Sequence, residues 1–145
     1  MKLLSYWFPV IAWMVFINPL NGLLTAESTS GFIIPFLMWV MPNASSETIA
    51  LYHTAIRKTA HFLEYAFLVL LLFRAFRAGR RNWRTGWALG AGIISLGYAA
   101  FDEFLQSMIA ARTGSPYDWL IDAIGVLCAL GILSMRKGER ASRIS

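Results

Sequence analysis

Four stretches of this chain are too apolar and too poor in charge to face water along their length, and they constrain the fold more than anything else in it. No charged residue occurs from Leu3 to Ala26. Lys58 and Arg74 enclose 15 residues interrupted only by His61 and Glu64. Thr85–Phe101 carries no charge, and Trp119–Met135 carries only Asp122. A helix needs about 20 mostly apolar residues to cross the hydrocarbon of a bilayer. The pattern therefore predicts an all-α integral membrane four-helix bundle, with spans at about 3–20, 58–74, 85–104 and 117–135. Composition agrees: of 145 residues 57% are apolar and 14% charged, against about 25% charged in soluble domains. One membrane domain, 1–145, accounts for the length. The same figures exclude disorder and a disulfide scaffold, since Cys128 is the single cysteine.

A fifth apolar run, Phe32–Met41, has ten residues and contains Pro35. It is too short to cross and reads as an extracytoplasmic helix that lies at the interface or re-enters the membrane, within an outer segment of about 27–57. Ser45-Ser46-Glu47 is a helix start, with hydroxyls to cap and an acid in the first turn. Ile49, Tyr52, Ile56 and Leu63 recur at helical spacing, so this helix is expected to run straight into the second span. Lys2 before an apolar run also suits a signal peptide, but no A-x-A-like site follows, and a retained span is expected.

Lysine and arginine set the orientation. Lys2, the five arginines from Arg74 to Arg84, and Arg136, Lys137, Arg140 and Arg143 put ten of 13 basic residues on one side. The positive-inside rule makes that side cytoplasmic, with both termini there. The arginine loop is first a topology signal; recognition of anionic lipid or nucleic acid is the lesser reading, and no nucleic-acid partner is expected. Glycines of the third span, with Gly86 and Gly90 four apart and Ala88 and Gly92 likewise, suit close packing within the bundle, or a face for a homo-oligomer.

Five of the eight carboxylates lie in or beside spans: Glu64, Asp102, Glu103, Asp118 and Asp122. A charge near the centre of a span costs roughly 2.5–3.5 kcal/mol on insertion scales, so each needs a partner or a role. Lys58, His61 and Tyr65 share one helix stripe with Glu64 beside them; Asp102, Glu103 and Gln106 share another; Asp118, Asp122 and Gly125 a third. Measured at 1.5 Å per residue from the arginine end, the three sets lie ~24, ~26 and ~27 Å away. Three helices thus raise their polar groups to one height near the outer surface. Arg112, in the turn-rich stretch between the last two spans, is placed to swing over them and grip a carboxylate or phosphate. Three readings stay open: an ion-pair network that locks the helices, a pocket for a polar head group entering from the outer leaflet, and catalysis. His61-x-x-Glu64 with Asp102 and Glu103 offers metal-ligand types, but no spacing matches a defined metal motif, and cofactor and metal stay unassigned. No Ser or Cys stands beside a general base on the same face, so covalent catalysis has little support.

The run Arg57-Lys58-Thr59-Ala60-His61-Phe62-Leu63-Glu64-Tyr65 resembles the R-K-x-x-H-F-x-E-Y signature of VanZ-like membrane proteins. Asp102-Glu103-Phe104-Leu105-Gln106, Arg112-Thr113-Gly114-Ser115, and Asp118 and Asp122 with Gly125 resemble that family's second signature. The likeness covers about residues 55–130. One departure is Asn18-Pro19-Leu20-Asn21 where the family often has a Ser-Ser-Gln-like stretch. The resemblance implies a bacterial cytoplasmic (inner) membrane protein, whose founding member contributes to teicoplanin resistance without remodelling the peptidoglycan peptide terminus. On this basis the expected partners are membrane lipids and a lipid-linked cell-wall precursor or glycopeptide. Lys58, His61 and Arg112 would bind an anionic head group. Glu64, Asp102 and Glu103 would orient them and meet sugar or amide groups, with Tyr65 on the same stripe and Gln106, Asp118 and Asp122 in support. The rivals are a membrane-embedded hydrolase or transferase, with Glu64, Asp102, Glu103 and His61 as its candidate catalytic groups, and a scaffold for wall-synthesis proteins.

Overall fold

The structure, a computed structural model, describes residues 2–18, 26–80, 82–108 and 116–142, and among them it is helical throughout. Five helices follow in order: α1 (Lys2–Ile17), α2 (Ala26–Val40), α3 (Ser46–Arg77), α4 (Thr85–Ser107) and α5 (Pro116–Ser142). The helices α3, α4 and, within α5, Tyr117–Arg136 are long and apolar enough to cross a membrane. The expected second span thus lies inside a continuous 32-residue helix. Of the four expected spans, α1 alone falls short of that length. Its 16 residues rise about 24 Å, against a hydrocarbon core of about 30 Å. It stops where Asn18 precedes Pro19, because proline disfavours helical backbone in the residue before it.

Local chemistry bounds α3 at both ends. Ser45 is extended, with φ −66° and ψ 157°, and its hydroxyl accepts the Thr48 N–H at 3.2 Å, while Glu47 sits in the first turn. At the other end Ala78 is left-handed, with φ 46°, and its N–H donates to the carbonyls of Arg74 and Ala75. Gly79 follows at φ 79°. This tight reversal turns the chain back into α4 as an antiparallel neighbour.

Every other helix packs on α3, and α4 also packs on α5. Tyr65, Leu68, Val69, Leu72 and Phe73 of α3 are buried against Ala88, Ala91, Ala99, Val126, Ala129 and Leu133. The inner face of α4 consists of small residues apart from Asp102 and Gln106. Gly92 on that face meets the side chain of Leu130, and Gly90 meets the Phe76 ring, whereas Gly86 and Gly97 look onto open space. Outward stripes are the reverse: Leu89 and Ile93 on α4 and Leu120, Ile124 and Leu127 on α5 are exposed. Apolar surface so extensive suits lipid and not water.

The tightest approach joins α3 to α5. A Cβ placed on Gly125 would collide with the backbone carbonyl of Phe62, while at Gly131, six residues further along the same helix, it would meet nothing within 4 Å. In lipid, where burial of apolar surface drives no association between helices, such close backbone contact is a main source of cohesion. Gly125→Ala is therefore expected to destabilise the detergent-solubilised protein by about 1–3 kcal/mol, the usual cost of overpacking. Gly131→Ala should leave its thermal midpoint unchanged or slightly raised. Equal midpoints for the two variants would refute the close crossing.

Candidate functional site

The crossing at Gly125 determines what lies beside it. Asp122 is one turn earlier on the same face of α5, and His61 adjoins Phe62 on α3. Their Nδ1 and Oδ1 atoms stand 3.5 Å apart, and His61 Nδ1 lies 4.0 Å from Glu64 of its own helix. Asp122 is wholly buried, whereas the His61 and Glu64 side chains each keep 18% exposure. Asp102 of α4 completes the group. It is 3% exposed, Gln106 Nε2 donates to its Oδ2 at 2.9 Å, and it interacts electrostatically with both His61 and Tyr65. Tyr65, also buried, interacts with Asp102, Asp122 and Glu64.

Buried polar groups normally find hydrogen-bond partners, and each one left without costs about 1–3 kcal/mol. Here Tyr65 Oη, Asp102 Oδ1 and both oxygens of Asp122 have none of good geometry, and neither has His61 Nδ1 beyond its ion-pair contacts. The His61–Asp122 separation is itself looser than the 2.7–2.9 Å of a charge-assisted hydrogen bond. Three helices thus aim more acceptor than donor capacity into one small volume. Such a place can take up hydroxyl, amide or ammonium donors, or a proton passed between carboxylate and imidazole. No group of three His, Cys, Asp or Glu side chains among the described residues is arranged to hold a metal ion.

Most residues singled out from the sequence come together here: His61, Glu64, Tyr65, Asp102, Gln106 and Asp122. Glu103 on α4 and Asp118 at the start of α5 are half-buried neighbours of that set along their helices. Lys58 is exposed, and the ion pairs among the described residues are those of His61, so Lys58 is not drawn into the cluster. Arg112 lies outside the described residues.

The first helix brings polar groups that the sequence patterns did not single out. Trp13 Nε1 donates to the Glu64 carbonyl at 3.0 Å. Tyr98 Oη, one turn before Asp102, donates to the Met14 carbonyl at 2.6 Å, and Asn18 Nδ2 donates to Tyr98 Oη at 3.4 Å. Met14 belongs to the last turn of α1, whose carbonyls have no partner within the helix. Tyr98 therefore caps α1 from across the bundle and sets its end at the height of Asp102. The available signal was Tyr98 at i−4 from Asp102, on the face that already carried the acid. On α2, Ser30 Oγ lies 3.2 Å from His53 Nε2, joining α2 to the N-terminal part of α3.

A fold that is helical in its described residues, with three helices long and apolar enough to cross a membrane and a buried carboxylate–histidine–tyrosine cluster between them, defines the class. The family model described as VanZ/LLP1 matches residues 5–137, and the chain belongs to that family. No curated protein and no solved structure is significantly similar to it.

Contact between His61 and Asp122 is open to a double-mutant cycle. The single changes His61→Ala and Asp122→Ala and the double change, followed by thermal or denaturant unfolding in detergent, should give a coupling of about 1 kcal/mol or more. Strictly additive effects would show that the two side chains do not act on one another.

Proposed function

We propose that this VanZ/LLP1-family protein holds the polar head group of a lipid-linked cell-wall precursor, or of a glycopeptide-related molecule, between α3, α4 and α5. The observation that carries the reading is that the Asp122 oxygens and Asp102 Oδ1 are buried with no hydrogen bond of good geometry, their nearest side-chain donors being His61, at 3.5 Å from Asp122, and Tyr65. A ligand rich in hydroxyl or amide N–H would supply what they lack. His61, Glu64 and Tyr65 would line the same site, with Glu103, Gln106 and Asp118 supporting it. Lys58 and Arg112 would meet an anionic part at the rim, Lys58 from its exposed position.

In this reading α1 is a fourth crossing helix, running from the arginine end to the polar height, and the arginine end is cytoplasmic, with both termini there. The hairpin of α2 and the first half of α3 lies at or dips into the outer face of a bacterial inner membrane. Exposed Phe32, Phe36, Trp39, Leu51 and Ile56 support that placement. The cellular role is in the cell envelope, including teicoplanin-type resistance. A membrane hydrolase or transferase is the second reading, favoured by one feature: a histidine and two buried carboxylates in a single site are the parts of an acid–base pair.

Native mass spectrometry with an added lipid-linked disaccharide precursor tests the binding. Wild-type protein should retain it, and Asp122→Asn and Asp102→Asn should weaken retention roughly tenfold with folding intact, as loss of a bond to a charged group implies. Lys58→Ala should have the smaller effect. An unchanged affinity in both aspartate variants would sink the pocket, and a change in the precursor's own mass would turn the reading to the enzyme. Orientation has its own check, in a Cys128→Ser background with an impermeant maleimide on intact cells. Ser107→Cys and Tyr117→Cys should label from outside, and Arg80→Cys only after lysis.

A further inference from the structure

At the opposite end of the bundle from the carboxylates, the turn from α3 to α4 carries Arg74, Arg77, Arg80 and Arg84 in the described residues. Three of them lie over aromatic rings. The guanidinium carbons of Arg80 and Arg84 sit 5.9 and 5.5 Å from the centre of the same Trp87 ring, and that of Arg74 lies 5.2 Å from the centre of Tyr6. Ring stacking orders a guanidinium without neutralising it, and it leaves the N–H edge free to bind. No ion pair joins any of these arginines to a carboxylate among the described residues. The first turn of α4 contains no acid to offset them. Two like charges therefore share one indole, with no counter-charge paired to them among the described residues. On the same stripe of α4, two turns on from Trp87, Ile94 is exposed within a helix long and apolar enough to cross a membrane.

We propose that Arg80 and Arg84, held on Trp87, bind the phosphodiester head group of an anionic phospholipid whose acyl chains run along α4 past Ile94. A guanidinium pairs with two phosphate oxygens at once. The adjoining apolar track selects a lipid over a free phosphate, which would leave that track unused. The arrangement exceeds what an orientation signal requires, since orientation depends on the number of basic residues and not on their stacking on one ring. This site is separate from the carboxylate cluster and stands or falls independently of it.

Delipidated full-length protein in a nonionic detergent can be titrated with phosphatidylglycerol, phosphatidylcholine or inorganic phosphate and followed by native mass spectrometry and thermal unfolding. Phosphatidylglycerol should be retained and should raise the melting temperature, while phosphatidylcholine and inorganic phosphate should do neither. The double variant Arg80→Gln/Arg84→Gln should bind phosphatidylglycerol about thirtyfold more weakly, the loss expected of two arginines near an anionic lipid surface. Trp87→Leu, which keeps both charges, should also weaken binding, by about threefold or more at the usual strength of a cation–ring contact. Equal retention of the two lipids by the wild-type protein overturns the proposal even if the variants do not fold. So does stabilisation by phosphate alone, or a folded double variant that binds as the wild type does.

Discussion

The contact of Gly125 with the Phe62 carbonyl is the constraint on which the rest of the arrangement depends. It lets α5 settle on α3 closely enough for the backbone of one to touch the other. Because Asp122 precedes Gly125 by one turn and His61 precedes Phe62 by one residue, the same approach fixes an acid 3.5 Å from an imidazole. A side chain at position 125 would lever the helices apart and lengthen that distance. Steric fit thus determines the electrostatics of the site. Asp122 cannot be understood without the glycine that follows it.

The short first helix answers to the same height. It runs antiparallel to α3, with Trp7 edge-on to Phe76 near the arginine turn and Trp13 bonded to the Glu64 carbonyl near the cluster. Gly79 leaves room for Tyr6 at one end, where an added Cβ would lie 2.5 Å from the tyrosine hydroxyl. Tyr98 receives the other end at Met14. The last turn of a helix has carbonyls with no partner inside the helix. A tyrosine from α4 meets that demand in part, and it stands one turn from Asp102. The polar height is therefore where the acids gather and also where a helix can end.

Much of this was legible in the chain, for reasons that are local. Ser45 and Glu47 announce the start of α3, and periodicity carries the helix through into the membrane. The i, i+3 and i, i+4 spacings put His61, Tyr65, Asp102, Gln106 and Asp122 on inward faces, where the structure has them. The illegible parts depend on the phase of one helix against another. Gly125 and Gly131 are both helical glycines of α5, and only the position of α3 makes one indispensable and the other free. Lys58 shares a stripe with His61, yet it ends up exposed, because a stripe gives the direction of a side chain and not how far the neighbouring helices extend alongside it. The length of α1 had a readable sign in Asn18-Pro19, but the charge-free run beyond it masked the stop. Hydrogen bonds from Trp13 and Tyr98 join residues 51 and 84 positions apart, and no local pattern foretells them.

The way the carboxylates are held bears on what they are for. Had the bundle needed only cohesion, apolar side chains of similar volume would serve as well or better, since buried ion pairs often contribute less than the packing that could replace them. Nor is the fold unable to satisfy a buried acid: Gln106 meets Asp102 Oδ2 at 2.9 Å from the next turn of the same helix. Yet Asp102 Oδ1 and both oxygens of Asp122 lack a bond of such geometry, and what they have is looser, Tyr65 beside Asp102 and the imidazole 3.5 Å from Asp122. A network built as glue would close those bonds, because an open one weakens the structure it is meant to hold. Leaving acceptors open in a volume shared by three helices makes sense where something else completes them. Such a cluster suits a site better than a strut, and the helix carrying Asp122 is accordingly held in place by a glycine against a backbone rather than by the charges themselves.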